Sequence, residues 1–147
     1  MVRTKANIVK LQLVQNSLAR LVTGTRKFDH ITPVLKKLHW LPISSRITYK
    51  IATLTHKTLA TSQPAYLFSS IHRSVPSRNT RSAQHIRLSK PDIRNFRSEF
   101  SRRGFSNCAP TIWNSLPVDI TDSFNSRGYF VTRLKTHLYR RRLAYVD

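Results

Sequence analysis

Helical periodicity, interrupted by one glycine and two prolines, constrains the fold of this chain more than any other feature. Apolar residues recur at three- and four-residue steps over residues 5–23, which predicts an amphipathic helix that ends at Gly24. Pro33 and Pro42 each stand where a helix can begin, and Pro42 also disfavours helical conformation in the residue before it. The pattern therefore predicts three N-terminal helices, over residues 5–23, 32–41 and 42–59.

Each of these helices carries an apolar stripe, and we expect the stripes to meet in a small helical bundle. The first tryptophan of the chain, Trp40, is included in this expected core because it stands among apolar neighbours at the end of the second predicted helix, just before Pro42. The residues expected to hold the bundle together are Ile8, Leu11, Leu18, Val34, Leu38, Trp40, Ile47, Ile51 and Leu54.

The second half of the chain has weaker patterns. Residues 85–89 alternate between apolar and polar, and residues 95–100 follow after a Pro-Asp turn, which predicts a short β-hairpin. Residues 72–84 are rich in Ser, Arg and Asn and predict a loop. Further helices are expected over residues 63–71, 108–116 and 126–143.

The expected fold is mainly α, with a small helical bundle followed by a short β-hairpin and further C-terminal helices. We expect a basic helical domain over residues 1–72 and a second region over residues 73–147 with the loop, the hairpin and the last helices. Trp113 lies in the helix predicted over residues 108–116, and its apolar neighbours favour a core position over base stacking.

Charge is the clearest functional signal. The chain has 26 Lys and Arg against 6 Asp and Glu, a formal net charge of +20, and no acid lies between Asp29 and Asp92. Self-repulsion at this charge destabilises a compact state unless a partner or counter-ions neutralise it. We therefore expect a polyanion partner, with the backbone of RNA, DNA or an RNA–DNA hybrid as the first choice.

Several cations stand in patterns that suit phosphate contacts. Arg46, Lys50 and Lys57 recur at steps of four and seven and form one row on the third helix, with no acid at the helical spacing that would pair them. A solvated helix face is the alternative for this row, and an exposed linker is the alternative for the arginine-rich loop. The predicted contact set is Arg20, Arg26, Lys27, Lys36, Lys37, Arg46, Lys50, Arg78 and Arg81.

Residue patterns that carry catalysis or bind metals are missing from the sequence. The six acids and six histidines are scattered, and no HExxH pair, serine elbow or phosphate-binding glycine loop occurs. Cys108 is the single cysteine and stands in an apolar run, which favours a buried thiol over a nucleophile. We therefore expect no catalytic residue, no metal, no cofactor and no small-molecule substrate for this chain alone.

The N-terminal segment has two interpretations. Residues 1–28 contain no acid and have an amphipathic pattern, as mitochondrial transit peptides do, but a folded first helix explains the same pattern. No stretch approaches the roughly 18 uninterrupted apolar residues of a membrane-spanning helix, so we expect no membrane partner. Nucleus or cytoplasm is the expected location, with mitochondria as the alternative.

Several runs, taken together and in order, resemble one family. They are LQLVQNSLARLVTGTRKFDHITPVLKKLHWLPISSRITYKI, PSRNTRS, APTIWNSLP and FVTRLKTHL, and they span about residues 10–142. They resemble the C-terminal end of the reverse-transcriptase polyprotein of non-LTR (LINE-type) retrotransposons. The resemblance implies a helical thumb and C-terminal extension that grip a template–primer duplex, with the palm and fingers of the parent polyprotein as a further partner.

The family's catalytic aspartates lie in a palm motif of the form F/Y-A-D-D, which this sequence lacks, as it lacks the endonuclease residues. No catalytic residue carries over, so the resemblance implies a non-catalytic fragment of an RNA-directed DNA polymerase. Two rivals stand beside this expectation. One is a retrotransposon remnant without a binding role, and the other is a basic structural protein of a mitochondrial or ribosomal particle.

Overall fold

The structure is a computed structural model that describes residues 2–75, 85–92, 104–122 and 126–143. The predictions of a mainly helical chain and of long helices at its start and end are confirmed. A short helix after Pro117 was not predicted. The described helices are α1 (Val2–Thr23), α2 (Ile31–Lys37), α3 (Ile43–Thr61), α4 (Ala65–Phe68), α5 (Phe105–Trp113), α6 (Val118–Thr121) and α7 (Arg127–Leu143).

The chain divides into two compact units, here called the N-terminal unit (Met1–Ile47) and the C-terminal unit (Thr48–Asp147). The boundary falls within α3, whose first turn belongs to the N-terminal unit and whose remainder belongs to the C-terminal unit. The expected division at residue 72 rests on composition and charge, and it stays a prediction.

The predicted β-hairpin is wrong, because the described residues contain no β-strand. Residues 95–100, the expected second strand, lie outside the described residues. Within residues 85–89, Leu88 instead forms an isolated antiparallel bridge with Arg73, and backbone hydrogen bonds of 2.8 and 2.9 Å flank the bridge.

Side chains at the end of α5 take the place of a strand partner. The Asn114 side-chain amide donates to the carbonyl oxygen of Leu88 at 2.8 Å and accepts the Leu88 N–H at 3.0 Å. The indole N–H of Trp113 donates to the carbonyl oxygen of Ile86 at 2.9 Å. Because these bonds satisfy the backbone groups of the extended segment, a second strand is not needed to pair them.

A stack of rings forms the centre of the C-terminal unit. His56 lies on Phe130 with ring centroids 4.2 Å apart, and Trp113 lies 5.8 Å from Phe130. Trp113 has no exposed surface, so its predicted core position is confirmed. Burial of such rings stabilises a core through both apolar area and ring packing. Buried aliphatic side chains complete this core: Leu88, Leu116, Ile120, Leu134 and Leu138.

The face that α3 buries differs from the predicted one. The sequence pattern favours the stripe of Ile47, Ile51 and Leu54, but Ile47 and Leu54 are exposed and Ile51 is only half-buried. The buried face carries small and polar residues instead, together with the histidine of the ring stack. Small side chains let a neighbouring element approach the helix closely, which explains how this face competes with a more apolar one. The buried residues of α3 are Ala52, Thr55, His56, Thr58 and Leu59.

The N-terminal unit has a small core in which α1 packs against α2. Ala19 of α1 is fully buried, and Val34 and Leu35 of α2 are buried beside it. Ile31, Leu38 and Trp40 are partly buried and pack around this cluster. The predicted packing of Val34, Leu38 and Trp40 is therefore confirmed.

Two glutamines of α1 fix the start of α3. Gln15 is only 5% exposed, and its Nε2 donates to the carbonyl oxygen of Leu41 at 2.9 Å. The Oε1 of Gln12 accepts the N–H of Ile43, the first residue of α3, at 2.9 Å. Gln12 Nε2 in turn donates to Gln15 Oε1 at 3.1 Å. One of the N–H groups that a helix leaves unpaired at its start is thus satisfied from α1, by a residue distant in sequence.

The predicted core stripe of α1 is exposed at Leu11 and Leu18, which corrects the expectation for these two residues, while Ile8 is half-buried. The buried face of the helix is centred on Gln15 and Ala19, roughly a quarter of a turn away. Leu21, at 79% exposed, has the most accessible side chain of this row. We call this row the α1 stripe, and it consists of Leu11, Val14, Leu18, Leu21 and Val22.

Candidate nucleic-acid interface

Two exposed cations, Arg26 and Lys27, lie in a closed turn between α1 and α2. The Asp29 N–H donates to the carbonyl oxygen of Arg26 at 3.2 Å, and the Arg26 N–H donates to Asp29 Oδ2 at 3.2 Å. Lys27 and Phe28 are therefore the central residues of a β-turn. Asp29 is the only acid before Asp92, and its carboxylate binds the backbone here.

Arg20 holds this turn against α1. Its Nη2 donates to the carbonyl oxygen of Asp29 at 3.1 Å, and its guanidinium is partly buried. Gly24, at φ +66°, ends α1, and the next N–H, from Thr25, returns to the carbonyl oxygen of Arg20 at 3.1 Å. Arg20 is thus placed next to the exposed cations of the turn, but its guanidinium also donates the hydrogen bond that holds the turn against α1.

Lys36 and Lys37 occupy the last turn of α2 and are exposed. The carbonyl groups at a helix C-terminus favour cations, so the helix dipole by itself stabilises lysines at this position. Their side chains remain on the surface, where they are also accessible to an anionic partner.

The predicted basic row on α3 is present and exposed along its whole length. Arg46 and Lys50 are one turn apart, and Lys57, which the predicted contact set omits, continues the row two turns later. The seven-residue step from Lys50 to Lys57 is the sequence signal by which Lys57 belongs to the same helical row and could have been included in the predicted contact set. Exposed Ile47 and Leu54 lie beside this row, so the outer face of α3 combines cations with apolar side chains.

Within the described part of the chain, none of the exposed cations on the turn, α2 and α3 forms an ion pair with an acid. The positive electrostatic field of these cations is therefore not cancelled by a paired acid. We call them the exposed cation set: Arg26, Lys27, Lys36, Lys37, Arg46, Lys50 and Lys57. Five of them belong to the N-terminal unit, and Lys50 and Lys57 belong to the C-terminal unit. Arg78 and Arg81, also predicted as contacts, lie outside the described residues.

A second basic surface, on α7, was not predicted as a contact. Arg133 donates through Nη1 to the carbonyl oxygen of Asp119 at 3.1 Å and lies over the Tyr129 ring at 4.6 Å. Burial, with a contribution from Arg141, lowers the pKa of His137. The arginine run at the chain's end was the available signal for this surface. A groove of about 430 Å³ runs beside it, lined by Pro117, Asp119, Ile120, Thr132, Arg133, Thr136, His137 and Arg140.

The groups that could carry chemistry are few in the described residues. No cluster of three His, Cys, Asp or Glu side chains suited to a metal ion occurs there. Burial raises the pKa of the Cys108 thiol, which is the opposite of what an activated nucleophile needs. His85 Nδ1 lies 3.1 Å from Asp122 Oδ2, a partly exposed pair that joins the extended segment to the end of α6.

In the ranges that the structure covers, no helix has both the length and the apolar character needed to cross a membrane.

Comparisons with protein-family models, with curated proteins and with solved structures found no match for this chain.

Proposed function

We propose that this chain is a nucleic-acid-binding, non-catalytic part of a LINE-type reverse transcriptase, and that it grips the sugar–phosphate backbone of RNA, DNA or their hybrid. The observation that carries this proposal is the exposed cation set: within the described residues none of its members forms an ion pair with an acid, and Asp29 is the only acid before Asp92 in the sequence. Contacts of this kind position a nucleic acid without reading its sequence. That property suits a polymerase thumb, as the family resemblance implies.

The strength of such binding comes from counter-ion release. Each phosphate that a Lys or Arg neutralises releases condensed cations, so log affinity falls linearly with log salt concentration. A set of seven exposed cations is large enough for a steep slope even when only part of it makes contact. The proposal therefore predicts a strong dependence on salt and little dependence on sequence.

The first experiment is a salt series on the whole chain with an RNA–DNA hybrid, duplex DNA and single-stranded RNA. A steep linear fall with tightest binding to the hybrid is expected from a thumb-like grip. Equal slopes and affinities on all three would reduce the proposal to a generic polycation. Absence of binding near physiological salt would overturn it.

Charge reversal of the α3 row tests the location of the grip. Arg46→Glu with Lys50→Glu lowers the slope of log affinity against log salt by about two, because two phosphate contacts are lost. The matched control is Arg127→Glu with Lys135→Glu on α7, which changes two exposed cations by the same charge. If both pairs weaken binding equally, α3 is not a preferred contact surface. Unchanged far-UV circular dichroism verifies that each variant is folded.

A second candidate, the remnant without a binding role, is favoured by the exposed apolar residues of α1 and α3. A part separated from a former partner leaves such residues uncovered and has weakly protected helices. Native-state hydrogen exchange measures this directly. Protection of α1 close to that of α5 and α7 argues against a loosened remnant, whereas rapid exchange along α1 together with absent nucleic-acid binding supports it.

A further inference from the structure

Phe28 has the most exposed large apolar side chain of the described residues, with 94% of its surface accessible. It stands at the tip of the turn between α1 and α2, where it contributes almost nothing to the core of the N-terminal unit. Full exposure of an aromatic ring loses the favourable free energy that its burial would supply. The position therefore needs an explanation outside the folding of this unit.

The turn that carries Phe28 is held on several sides. Two hydrogen bonds of 3.2 Å close it between Arg26 and Asp29, and the Arg20 guanidinium ties the Asp29 carbonyl oxygen to α1 at 3.1 Å. A ring on such a turn is displayed in a limited set of positions before any ligand arrives. Preorganisation of this kind lowers the entropy lost on binding.

Cations border the ring along the chain. Lys27 shares the centre of the turn with Phe28, Arg26 begins the turn, and both are exposed. An aromatic face next to cations matches the chemistry of a nucleotide, which joins a flat base to an anionic phosphate. Single-strand-binding proteins use this combination, with aromatic rings stacking on bases and a basic surface following the backbone.

From this geometry we propose that Phe28 stacks on an unpaired nucleobase while Arg26 and Lys27 contact the adjoining phosphates. The ligand class is a single-stranded segment or an unpaired end, because bases inside a duplex are already stacked on their neighbours. This inference rests on the proposed backbone grip and adds to it one position that senses bases. It gives the N-terminal unit one contact that only an unpaired nucleotide can make, beside backbone contacts that do not depend on pairing.

The test compares two single-stranded probes with the whole chain. One is a short oligothymidylate, and the other is an abasic oligomer of the same length, which keeps the phosphates and lacks the bases. Phe28→Ala is expected to weaken binding of oligothymidylate by about 5- to 100-fold and to leave binding of the abasic oligomer unchanged. Phe28→Trp, which keeps an aromatic face, is expected to retain the affinity, and Phe28→Leu is expected to lose it.

Tyr66 supplies a matched control. It is an exposed aromatic residue, at 72% accessible, on a stretch where no Lys or Arg occurs between Lys57 and Arg73. Tyr66→Ala removes an exposed ring without touching the cation-flanked turn. Its affinity for oligothymidylate is expected to equal that of the wild type.

The outcomes separate this inference from the function on which it rests. Wild-type binding to both probes with an unchanged Phe28→Ala affinity overturns stacking and leaves the backbone grip intact; Phe28 then faces a protein or an apolar surface. Equal losses on both probes also overturn stacking, because the ring would then act on the turn and not on a base. Failure of the wild type to bind either single-stranded probe also overturns stacking, whereas the proposed function itself is overturned only if the RNA–DNA hybrid, duplex DNA and single-stranded RNA are not bound either.

Discussion

The indole of Trp113 combines two roles that usually compete in a core. Its ring is buried without any exposed surface and packs near Phe130, yet its N–H must be paired because it is removed from water. The bond to the Ile86 carbonyl oxygen pairs it and also fixes the extended segment against α5. Trp40, the other tryptophan, is only partly buried, at the edge of the small core between α1 and α2.

Replacement of each tryptophan by phenylalanine separates these roles. Trp113→Phe keeps an aromatic ring but leaves the Ile86 carbonyl oxygen without its donor, so we expect a loss of about 1–3 kcal/mol in the free energy of unfolding. Trp40→Phe is expected to cost less, since Trp40 is only partly buried and, within the described residues, no hydrogen bond of its indole N–H to a carbonyl oxygen corresponds to that of Trp113. Urea unfolding followed by far-UV circular dichroism measures both variants. Equal losses would show that the indole bond is not what stabilises the segment.

At the scale of the elements, the sequence was informative about where helices begin and end, and much less so about which faces they bury. Gly24 and Pro42 act through local backbone geometry, which is why they marked the end of α1 and the start of α3 correctly. The predicted end of the second helix at residue 41 was wrong, because α2 ends at Lys37 and His39 has a positive φ of 53°.

The buried face of a helix depends on its neighbours. Around Ala19 the α1–α2 contact requires a small residue, and the amide bonds of Gln12 and Gln15 favour the same side. Those bonds join residues that are 26 and 31 positions apart, so the spacing of apolar residues within α1 carries no information about them.

Neighbouring positions of α1 test this choice of face. Leu18→Gln is expected to change the free energy of unfolding by less than about 0.5 kcal/mol, because Leu18 is exposed and Gln has a similar helix propensity. Ala19→Gln places a long polar side chain in a fully buried position and is expected to cost about 1–3 kcal/mol. A larger loss in the free energy of unfolding for Leu18→Gln than for Ala19→Gln, measured by denaturant unfolding, would mean that the α1 stripe is the packed face.

The candidate site was predictable to a similar degree. Exposed cations follow from charge and spacing, since Lys and Arg rarely become fully buried. Phe28 did not stand out in the sequence, because an isolated phenylalanine normally indicates core. Its role depends on the Arg26–Asp29 turn, and the hydrogen bonds that close this turn are visible only in three dimensions. Likewise, the sequence does not show that Arg20 donates a hydrogen bond to the carbonyl oxygen of Asp29, which sets it apart from the cations that are simply exposed.

For the whole molecule, the net charge of +20 connects stability with the proposed binding of nucleic acid. Like charges repel one another in the folded state, and salt screens that repulsion while it also weakens attraction to a polyanion. Stability and affinity should therefore respond to salt in opposite directions. The acids offer little internal compensation, since there are only six of them and Asp29 is used on a backbone N–H.

Thermal unfolding across a salt series tests this opposition. We expect the Tm to rise by on the order of a few °C from low to physiological salt, as repulsion is screened. Each charge reversal lowers the net charge by two, so Arg46→Glu with Lys50→Glu brings +20 to +16 and should make the rise shallower. A Tm that falls with salt would show that self-repulsion does not limit the stability of this fold.

The exposed α1 stripe has a colloidal consequence. In the free protein, the positive charge keeps copies apart, so leucine and valine side chains on the surface of one copy rarely meet those of another. A nucleic acid that neutralises this charge removes the barrier and gathers many copies along one strand. Close to charge equivalence the mixture is then expected to turn turbid and separate into a protein-rich phase, and an excess of either component should clear it.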